Sequence, residues 1–185
     1  PTTIRVPTHY YTINEAADAA IAGDIVFVEA GTYYDCTTVI AKDNLTLVGE
    51  NRETTIVDGV TDPLGGANFE ISARNVTVRS LTLLEGYDGI KIDSGCNSSL
   101  VFDCVIKDGV WIDGAYHNNI TGNIVGTPGY GYGIYLKASA WNTIHDNVVI
   151  NNDLDGIYLY SSSQNSIVGN DIAGNKRDGI RIHFS

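Results

Sequence analysis

The sequence has no methionine, only three cysteines, and no apolar run near the roughly 20 residues that a membrane-spanning helix requires. Basic residues are also scarce, with 11 lysines and arginines against 22 aspartates and glutamates, for a net charge of −11. A surface of this charge repels nucleic acid and anionic lipid. We therefore expect no membrane span, no nucleic-acid partner, and a partner that is neutral, cationic or metal-bearing.

The cysteines, Cys36, Cys96 and Cys104, follow no metal-ligand spacing such as Cys-x-x-Cys, which argues against a zinc site. Because their number is odd, at least one of them has no partner within the chain. Such a residue is either a buried, inert thiol or half of an intermolecular disulfide. All three are candidates for the intermolecular bond.

The start at Pro1 and the lack of methionine favour a processed mature protein or an excised fragment, and a removed signal peptide is compatible with both. Four N-glycosylation triplets begin at Asn44, Asn75, Asn97 and Asn119. A chain this rich in asparagine, serine and threonine also generates such triplets by chance. The triplets fit an extracellular, cell-surface or periplasmic protein, and we expect that location.

An internal repeat dominates the second half of the chain. A glycine followed by an apolar, a variable and an apolar residue recurs at spacings of 20, 24, 23 and 23, at Gly89, Gly109, Gly133, Gly156 and Gly179. Each unit contains short runs with the period of two that is typical of strands, separated by a polar turn, and has no room for a long helix. Short strands at this period complete their backbone hydrogen bonds by stacking unit on unit, which predicts a parallel solenoid.

Polar residues recur at two fixed distances after the first four glycines. Nine residues after them lie Ser98, Asn118, Asn142 and Asn165, and fourteen residues after them lie Asp103, Asn123, Asn147 and Asn170. We interpret the second set as an inward asparagine ladder, whose amides hydrogen-bond along the solenoid axis and bind no ligand. A leucine-rich repeat shares the period, but the polar turn from Ser161 to Ser166 argues against that alternative.

These repeats resemble the right-handed parallel β-helix family of pectin-lyase-like folds, in particular the NosD-type short-coil repeats of periplasmic or surface proteins. The N-terminal part agrees, because "YTINEAADAAIAGDIVFVEAGTYYD" is similar to the first turn of that family and "NLTLVGENRETTIVDG" to its first full coil. The resemblance implies an all-β fold, a right-handed parallel β-helix solenoid with an N-terminal capping α-helix. It leaves the function open, since lyases, hydrolases, epimerases, adhesins and structural surface proteins share this fold.

We expect a single β-helix domain over residues 1–185. Within it, residues 1–24 form an N-terminal strand and the capping helix, residues 25–87 form irregular coils, and residues 88–185 form regular coils of about 23 residues. The sequence stops at "DGIRIHFS" without a helix or a charged closing strand. We therefore expect an uncapped C-terminal end, whose free backbone groups can template another chain.

The capping helix is predicted from local signals. Thr12 and Glu15 form a capping box, strong helix formers follow it, and a glycine ends the segment, so we expect a helix from Ile13 to Ala22. Its apolar stripe, Ile13, Ala17 and Ile21, would cover the first coil of the solenoid.

Outward residues at equivalent positions form columns, because successive coils lie about 4.8 Å apart. The column two residues after each glycine contains Trp111, Tyr135 and Tyr158, which we interpret as a flat stripe that stacks on sugar rings or stabilises the strands. The column four residues after contains Asp93, Asp113, Lys137, Tyr160 and His183. These are the carboxylates, base and phenol that polysaccharide lyases and epimerases use, and Asp93 and Asp113 are also a candidate calcium site. The column before each glycine contains Asp88, Asp108, Tyr132, Asp155 and Asp178, to which we assign no role.

Two functional hypotheses follow. The favoured one is an extracellular or cell-surface structural β-helix that self-associates through its open end into a homo-oligomer or filament, as in a sheath or surface layer. The alternative is a carbohydrate-active enzyme, such as a polysaccharide lyase, hydrolase or epimerase, or a sugar-binding module that uses the aromatic and acidic face. The sequence has no catalytic motif typical of the family, which favours the first hypothesis, and we expect no cofactor other than calcium.

Overall fold

The computed structural model describes residues 1–35, 37–59, 66–126 and 131–184, which form one α-helix and 22 β-strands in three sheets. The helix, α1, spans Ile13–Ala19. The first sheet has eight strands, in the order β1 (Thr3–Val6), β2 (Ile25–Val28), β5 (Thr46–Gly49), β8 (Thr77–Arg79), β11 (Leu100–Phe102), β14 (Asn119–Thr121), β17 (Thr143–His145) and β20 (Ser166–Val168).

The other two sheets have seven strands each. The second sheet contains β4 (Thr38–Ile40), β7 (Phe69–Ile71), β10 (Ile90–Ile92), β13 (Val110–Asp113), β16 (Ile134–Lys137), β19 (Ile157–Tyr160) and β22 (Ile180–His183). The third contains β3 (Gly31–Tyr33), β6 (Thr55–Asp58), β9 (Thr82–Leu84), β12 (Val105–Ile106), β15 (Ile124–Gly126), β18 (Val148–Ile150) and β21 (Asp171–Ala173). Each coil adds one parallel strand to each sheet, which confirms the predicted parallel β-helix, here of about seven turns.

The core is a column of branched apolar side chains. Ile90, Val110, Ile134 and Ile157 align on neighbouring strands, and none is more than 2% exposed. The buried apolar cluster continues from Ile4 to Leu159, and the partly buried Ile167 and Ile172 pack against it. β-Branched residues suit this arrangement because their restricted side chains pack closely on a pleated surface.

The asparagine ladder is present, but its first member differs from the prediction. Asn123, Asn147 and Asn170 each accept the backbone N–H of the residue one coil earlier, at 3.0 Å. The residue that donates to Asn123 is Cys104, not Asp103, because the coil after Gly89 has one more residue in its first turn than the coils that follow it.

The same insertion displaces the other predicted row. Ser99, not Ser98, donates its N–H to the Asn118 Oδ1 at 2.8 Å. A further ladder, which we did not predict from the sequence, joins the Asn152 N–H to the Asn175 Oδ1 at 3.0 Å. Three turns of the regular coils are therefore fastened by buried amides.

The capping helix is shorter than predicted. The capping box of Thr12 and Glu15 is confirmed, but the helix ends at Ala19 because Ala20 is extended, with a ψ of 152°. Ile21 is consequently 67% exposed, so the predicted stripe was wrong at this residue and the buried helix face is Ile13, Ala16 and Ala17.

Candidate functional site

A groove runs across the coils that contain β10, β13 and β16. Its deeper part, which we call the recess, has a volume of about 200 Å³ and is lined by Tyr87, Asp88, Asp108, Val110, Trp111, Gly131, Tyr132, Tyr135 and Leu154. Its shallower part is lined by Gly66, Ala67, Glu70, Asp88, Lys91, Trp111 and Asp113. Asp88 and Trp111 belong to both parts, so the groove is continuous.

Two glycines place the carboxyl groups of the recess. Asp88 precedes Gly89 and Asp108 precedes Gly109, and the Gly89 N–H donates to the Gly109 carbonyl at 3.1 Å. A Cβ atom at Gly89 would overlap the Ile106 side chain. The absence of a side chain at this position lets the turns stack closely, which puts Asp88 and Asp108 at aligned positions of adjacent coils, although Gly109 has a φ of +83° and Gly89 does not have a positive φ.

The two carboxyl groups lie in different environments. Burial raises the pKa of Asp88 to about 6, and the neighbouring charge of Asp108 adds to the rise while Lys91 opposes it. Burial also raises the pKa of Asp108, but its Oδ2 accepts the Gly86 N–H at 3.0 Å, which favours the ionised form. Asp88 is therefore a carboxyl group that is about half protonated near pH 6.

The aromatic side of the recess is not the flat stripe that we predicted. Trp111 meets Tyr135 edge to face, with ring centroids 4.8 Å apart and planes at 65°. Tyr135 stacks on Tyr158 at 5.2 Å and 8°, but Tyr158 is only 8% exposed and packs behind the recess. Tyr132, from the column without an assigned role, contacts both tyrosines, at 5.1 Å and 4.9 Å.

The Trp111 indole carries the most informative polar atom of the recess. Its Nε1 is buried, and no hydrogen-bond partner for it lies among the described residues. A buried donor without a partner costs about 1–3 kcal/mol, so an acceptor on a ligand that reaches this atom would be favoured.

The predicted catalytic column is assembled as expected but lies largely outside the groove. Asp113, Lys137, Tyr160 and His183 align on successive strands. Lys137 pairs with Asp113 at 3.1 Å, and the rings of Tyr160 and His183 meet edge to face at 5.4 Å. Of the five candidates, including Asp93, only Asp113 lines the groove, and the catalytic roles of the column stay predictions.

The comparisons with known proteins agree with this architecture. The family model for NosD, described as a periplasmic copper-binding protein, matches residues 17–185. The chain belongs to the NosD family. No curated protein matches its sequence significantly.

Solved structures similar to this NosD-family chain share its fold at low identity. ORF18 of Geobacillus virus E2 has a TM-score of 0.69 at 19% identity, and the match covers 91% of this chain and 37% of the viral protein. A pectin methylesterase solved with a hexasaccharide has a TM-score of 0.51 at 12% identity, over 96% of this chain and 92% of that one. The catalytic domain of a GH87 α-1,3-glucanase, solved with tetrasaccharides, has a TM-score of 0.51 at 13% identity. The match covers 98% of this chain and 45% of the glucanase chain.

The location that we predicted agrees with the description of the NosD family as periplasmic. Within the described ranges, no helix has the length and apolar character that a membrane crossing requires.

Among the residues that the structure describes, the side chains of this NosD-family chain do not fit a copper site. Copper ions in proteins are bound by cysteine or methionine sulfur and by imidazole. The sequence has no methionine, and over the described part of the chain no three His, Cys, Asp or Glu side chains are arranged so that they could hold a metal ion. The candidate calcium ligands are each paired with a lysine, Asp93 with Lys91 at 2.8 Å and Asp113 with Lys137 at 3.1 Å, and calcium binding stays a prediction.

Two of the cysteines have the properties of buried thiols. Cys96 and Cys104 are unpaired and 7% and 0% exposed, and burial raises the pKa of Cys104 to about 12. A thiol buried in this way is not accessible to a second chain. The remaining disulfide candidate, Cys36, lies outside the described residues.

The glycosylation candidates differ in exposure. Asn44 and Asn75 are exposed, and the Asn75 amide donates to the Asn44 Oδ1 at 2.7 Å. The Asn97 Oδ1 accepts the Tyr116 N–H at 2.8 Å, and Asn119 lies within β14 with a buried Oδ1. Glycosylation at these sites stays a prediction.

Proposed function

We propose that this protein is an extracytoplasmic β-helix that binds a neutral glycan in the groove across β10, β13 and β16. The observation that carries the proposal is the recess itself, in which Trp111 and Tyr135 stand beside Asp88 and Asp108. Aromatic rings offer apolar surface to the C–H groups of a sugar, and carboxylates accept hydrogen bonds from its hydroxyl groups.

The polar atoms of the groove suit a sugar in both directions of hydrogen bonding. Asp88, Asp108 and Glu70 supply acceptors, and the unpartnered Trp111 Nε1 supplies a buried donor. A pyranose ring carries hydroxyl groups that both donate and accept, so it would satisfy these groups together.

Charge selects the class of glycan. The groove has four carboxyl groups, of Glu70, Asp88, Asp108 and Asp113, against one ammonium group, of Lys91, and the protein has a net charge of −11. These charges disfavour polyuronates and other anionic polymers. A neutral polysaccharide is therefore the ligand that we propose, and the saccharide complexes of the two carbohydrate-active structural neighbours are compatible with a sugar on this fold.

The proposal is tested by isothermal titration against oligosaccharides from neutral glucans, mannans and xylans. Trp111→Phe keeps an aromatic ring but removes the indole N–H, and Tyr135→Ala removes one wall, so we expect each to weaken binding about tenfold, equivalent to the loss of one good hydrogen bond or ring contact. Trp141→Ala is the matched control, because Trp141 is 50% exposed and stacks on His117 away from the groove. Binding of no neutral glycan, or equal affinity of the Trp111 and Trp141 variants, would contradict the proposal.

Self-association into an envelope assembly stays a second prediction. Ile180 and Ile182 of the last described coil are 45% and 65% exposed, and a further coil stacked on β22 would cover them, whichever polypeptide supplied it. Light scattering of the full-length protein measures this directly, and a strictly monomeric protein would contradict it.

A further inference from the structure

We propose that Asp88 and Asp108 are a catalytic pair that hydrolyses a glycosidic bond of the glycan held in the recess. The inference rests on the proposed function, because it needs a sugar in the recess. It differs from the sequence-based expectation, which placed the catalytic candidates in the column from Asp93 to His183.

The first argument is position. Asp88 and Asp108 occupy equivalent places on adjacent coils, and both line the recess beside Trp111, Tyr132 and Tyr135. Adjacent coils of a β-helix lie about 4.8 Å apart. The Asp108 Oδ2 accepts the Gly86 N–H at 3.0 Å, which turns the Asp108 carboxylate toward the coil of Asp88. A bond of a sugar chain in the recess would therefore be flanked by two carboxyl groups.

The second argument is the difference between the two groups. A glycosidase needs one carboxyl that is protonated and one that is ionised. The Asp108 carboxylate accepts a hydrogen bond from the Gly86 N–H, which stabilises its negative charge, whereas no donor to the Asp88 carboxyl lies among the described residues. Burial raises the pKa of Asp88 to about 6, so a substantial fraction of Asp88 is protonated at mildly acidic pH.

Adjacent coils lie about 4.8 Å apart, which is nearer to the roughly 5–5.5 Å between the carboxyl groups of retaining glycosidases than to the roughly 6.5–9.5 Å of inverting ones, so we expect a two-step reaction with retention of configuration. In the first step the Asp108 carboxylate attacks the anomeric carbon while Asp88 donates its proton to the glycosidic oxygen. The C–O bond breaks, one sugar leaves as an alcohol, and the other forms an ester with Asp108. In the second step Asp88, now a carboxylate, takes a proton from water, whose oxygen attacks the anomeric carbon and releases Asp108. One water is consumed per bond, and both carboxyl groups regain their starting state.

The test measures release of reducing ends from the neutral polysaccharides that bind, together with the anomeric configuration of the first product by ¹H NMR. We expect turnover with retained configuration. Asp88→Asn and Asp108→Asn should each reduce the rate at least about 100-fold, because each removes a proton transfer or a nucleophile. Azide should restore turnover to Asp108→Gly with inverted product.

The matched control is Asp178→Asn, which changes the same position of the repeat at an exposed site away from the recess. It should retain the wild-type rate. Binding without turnover, turnover with inversion by the wild type, or an equal loss in Asp178→Asn would overturn the catalytic pair and leave the glycan-binding proposal standing. Binding of no glycan would remove the proposed function itself, and isothermal titration of the Asp88→Asn variant separates the two cases.

Discussion

Two kinds of turn in the same coils use their polar side chains in opposite ways. At the asparagine turn, Asn147 donates to the Ile120 carbonyl at 2.8 Å and to the Asn170 Oδ1 at 2.9 Å, and it accepts the Asn123 N–H at 3.0 Å. At the turn before Gly89, the carboxyl of Asp88 faces the recess, with no donor to it among the described residues. The polar groups of the asparagine turn are hydrogen-bonded within the protein, whereas the aspartate turn has a carboxyl group that can still hydrogen-bond to a ligand.

This difference shows how a repeat combines stability with function. The ladders make the backbone path of successive coils nearly constant, because the buried amides of Asn123, Asn142 and Asn147 each hydrogen-bond to the coil before and the coil after. A constant path allows an outward position to carry a partly buried carboxyl at a cost that the rest of the coil offsets. The chemistry is therefore expected where a polar residue of the repeat lacks internal partners.

The largest loss of stability is expected when a buried asparagine of the asparagine turn is removed. Asn147→Ala removes the acceptor of a buried N–H and the donor to a buried carbonyl, each worth about 1–3 kcal/mol, so the free energy of unfolding should fall by about 4 kcal/mol. Urea denaturation followed by circular dichroism measures the loss. Asn170→Ala should cost less, since Asn170 is only half-buried. A loss below 1 kcal/mol for Asn147→Ala would show that the ladder is not what fastens the coils.

The asparagine ladders and the alignment of the glycines on successive coils could be predicted from the sequence, because these residues recur at fixed distances along the chain. The register of the coil after Gly89 could not, since Ser98 and Ser99 are both serine and only strand pairing reveals the inserted residue. The recess was also missed, although the column with Asp88 and Asp108 was visible. The burial of these carboxyl groups depends on Tyr132 and other side chains from later coils. The spacing of residues along the sequence does not predict where those side chains lie.

A smaller loss of stability is expected when Gly109, which follows Asp108, is replaced. Gly109 has a φ of +83°, and a Cβ there would overlap the Tyr132 carbonyl, so Gly109→Ala should reduce the free energy of unfolding by about 2–3 kcal/mol and weaken glycan binding. Gly179 occupies the same position of the repeat, with the nearest atom to an added Cβ at 3.6 Å. Gly179→Ala should therefore change stability by less than about 0.5 kcal/mol. Thermal unfolding of both variants checks this, and equal losses would mean that the close approach at Gly109 does not constrain the turn.

The smallest effect concerns the charge of Asp88. Its pKa rises from 3.8 to about 6 on folding, so the folded state holds a proton that the unfolded chain has lost between these pH values. The stability that this proton contributes is fully present below pH 3.8 and is lost as the pH rises through 6. The full shift corresponds to about 3 kcal/mol, and the partial exposure of Asp88 reduces our expectation to about 1–2 kcal/mol.

The measurement is the free energy of unfolding between pH 4 and pH 8 for the wild type and Asp88→Asn. The variant has no charge to bury, so its stability relative to the wild type should increase across this interval. Asp178→Asn changes an exposed carboxyl and should follow the wild type. Parallel plots of unfolding free energy against pH for the wild type and Asp88→Asn would contradict this prediction. They would mean that burial of the Asp88 charge has no electrostatic cost, so that the two turns differ only in their hydrogen bonds.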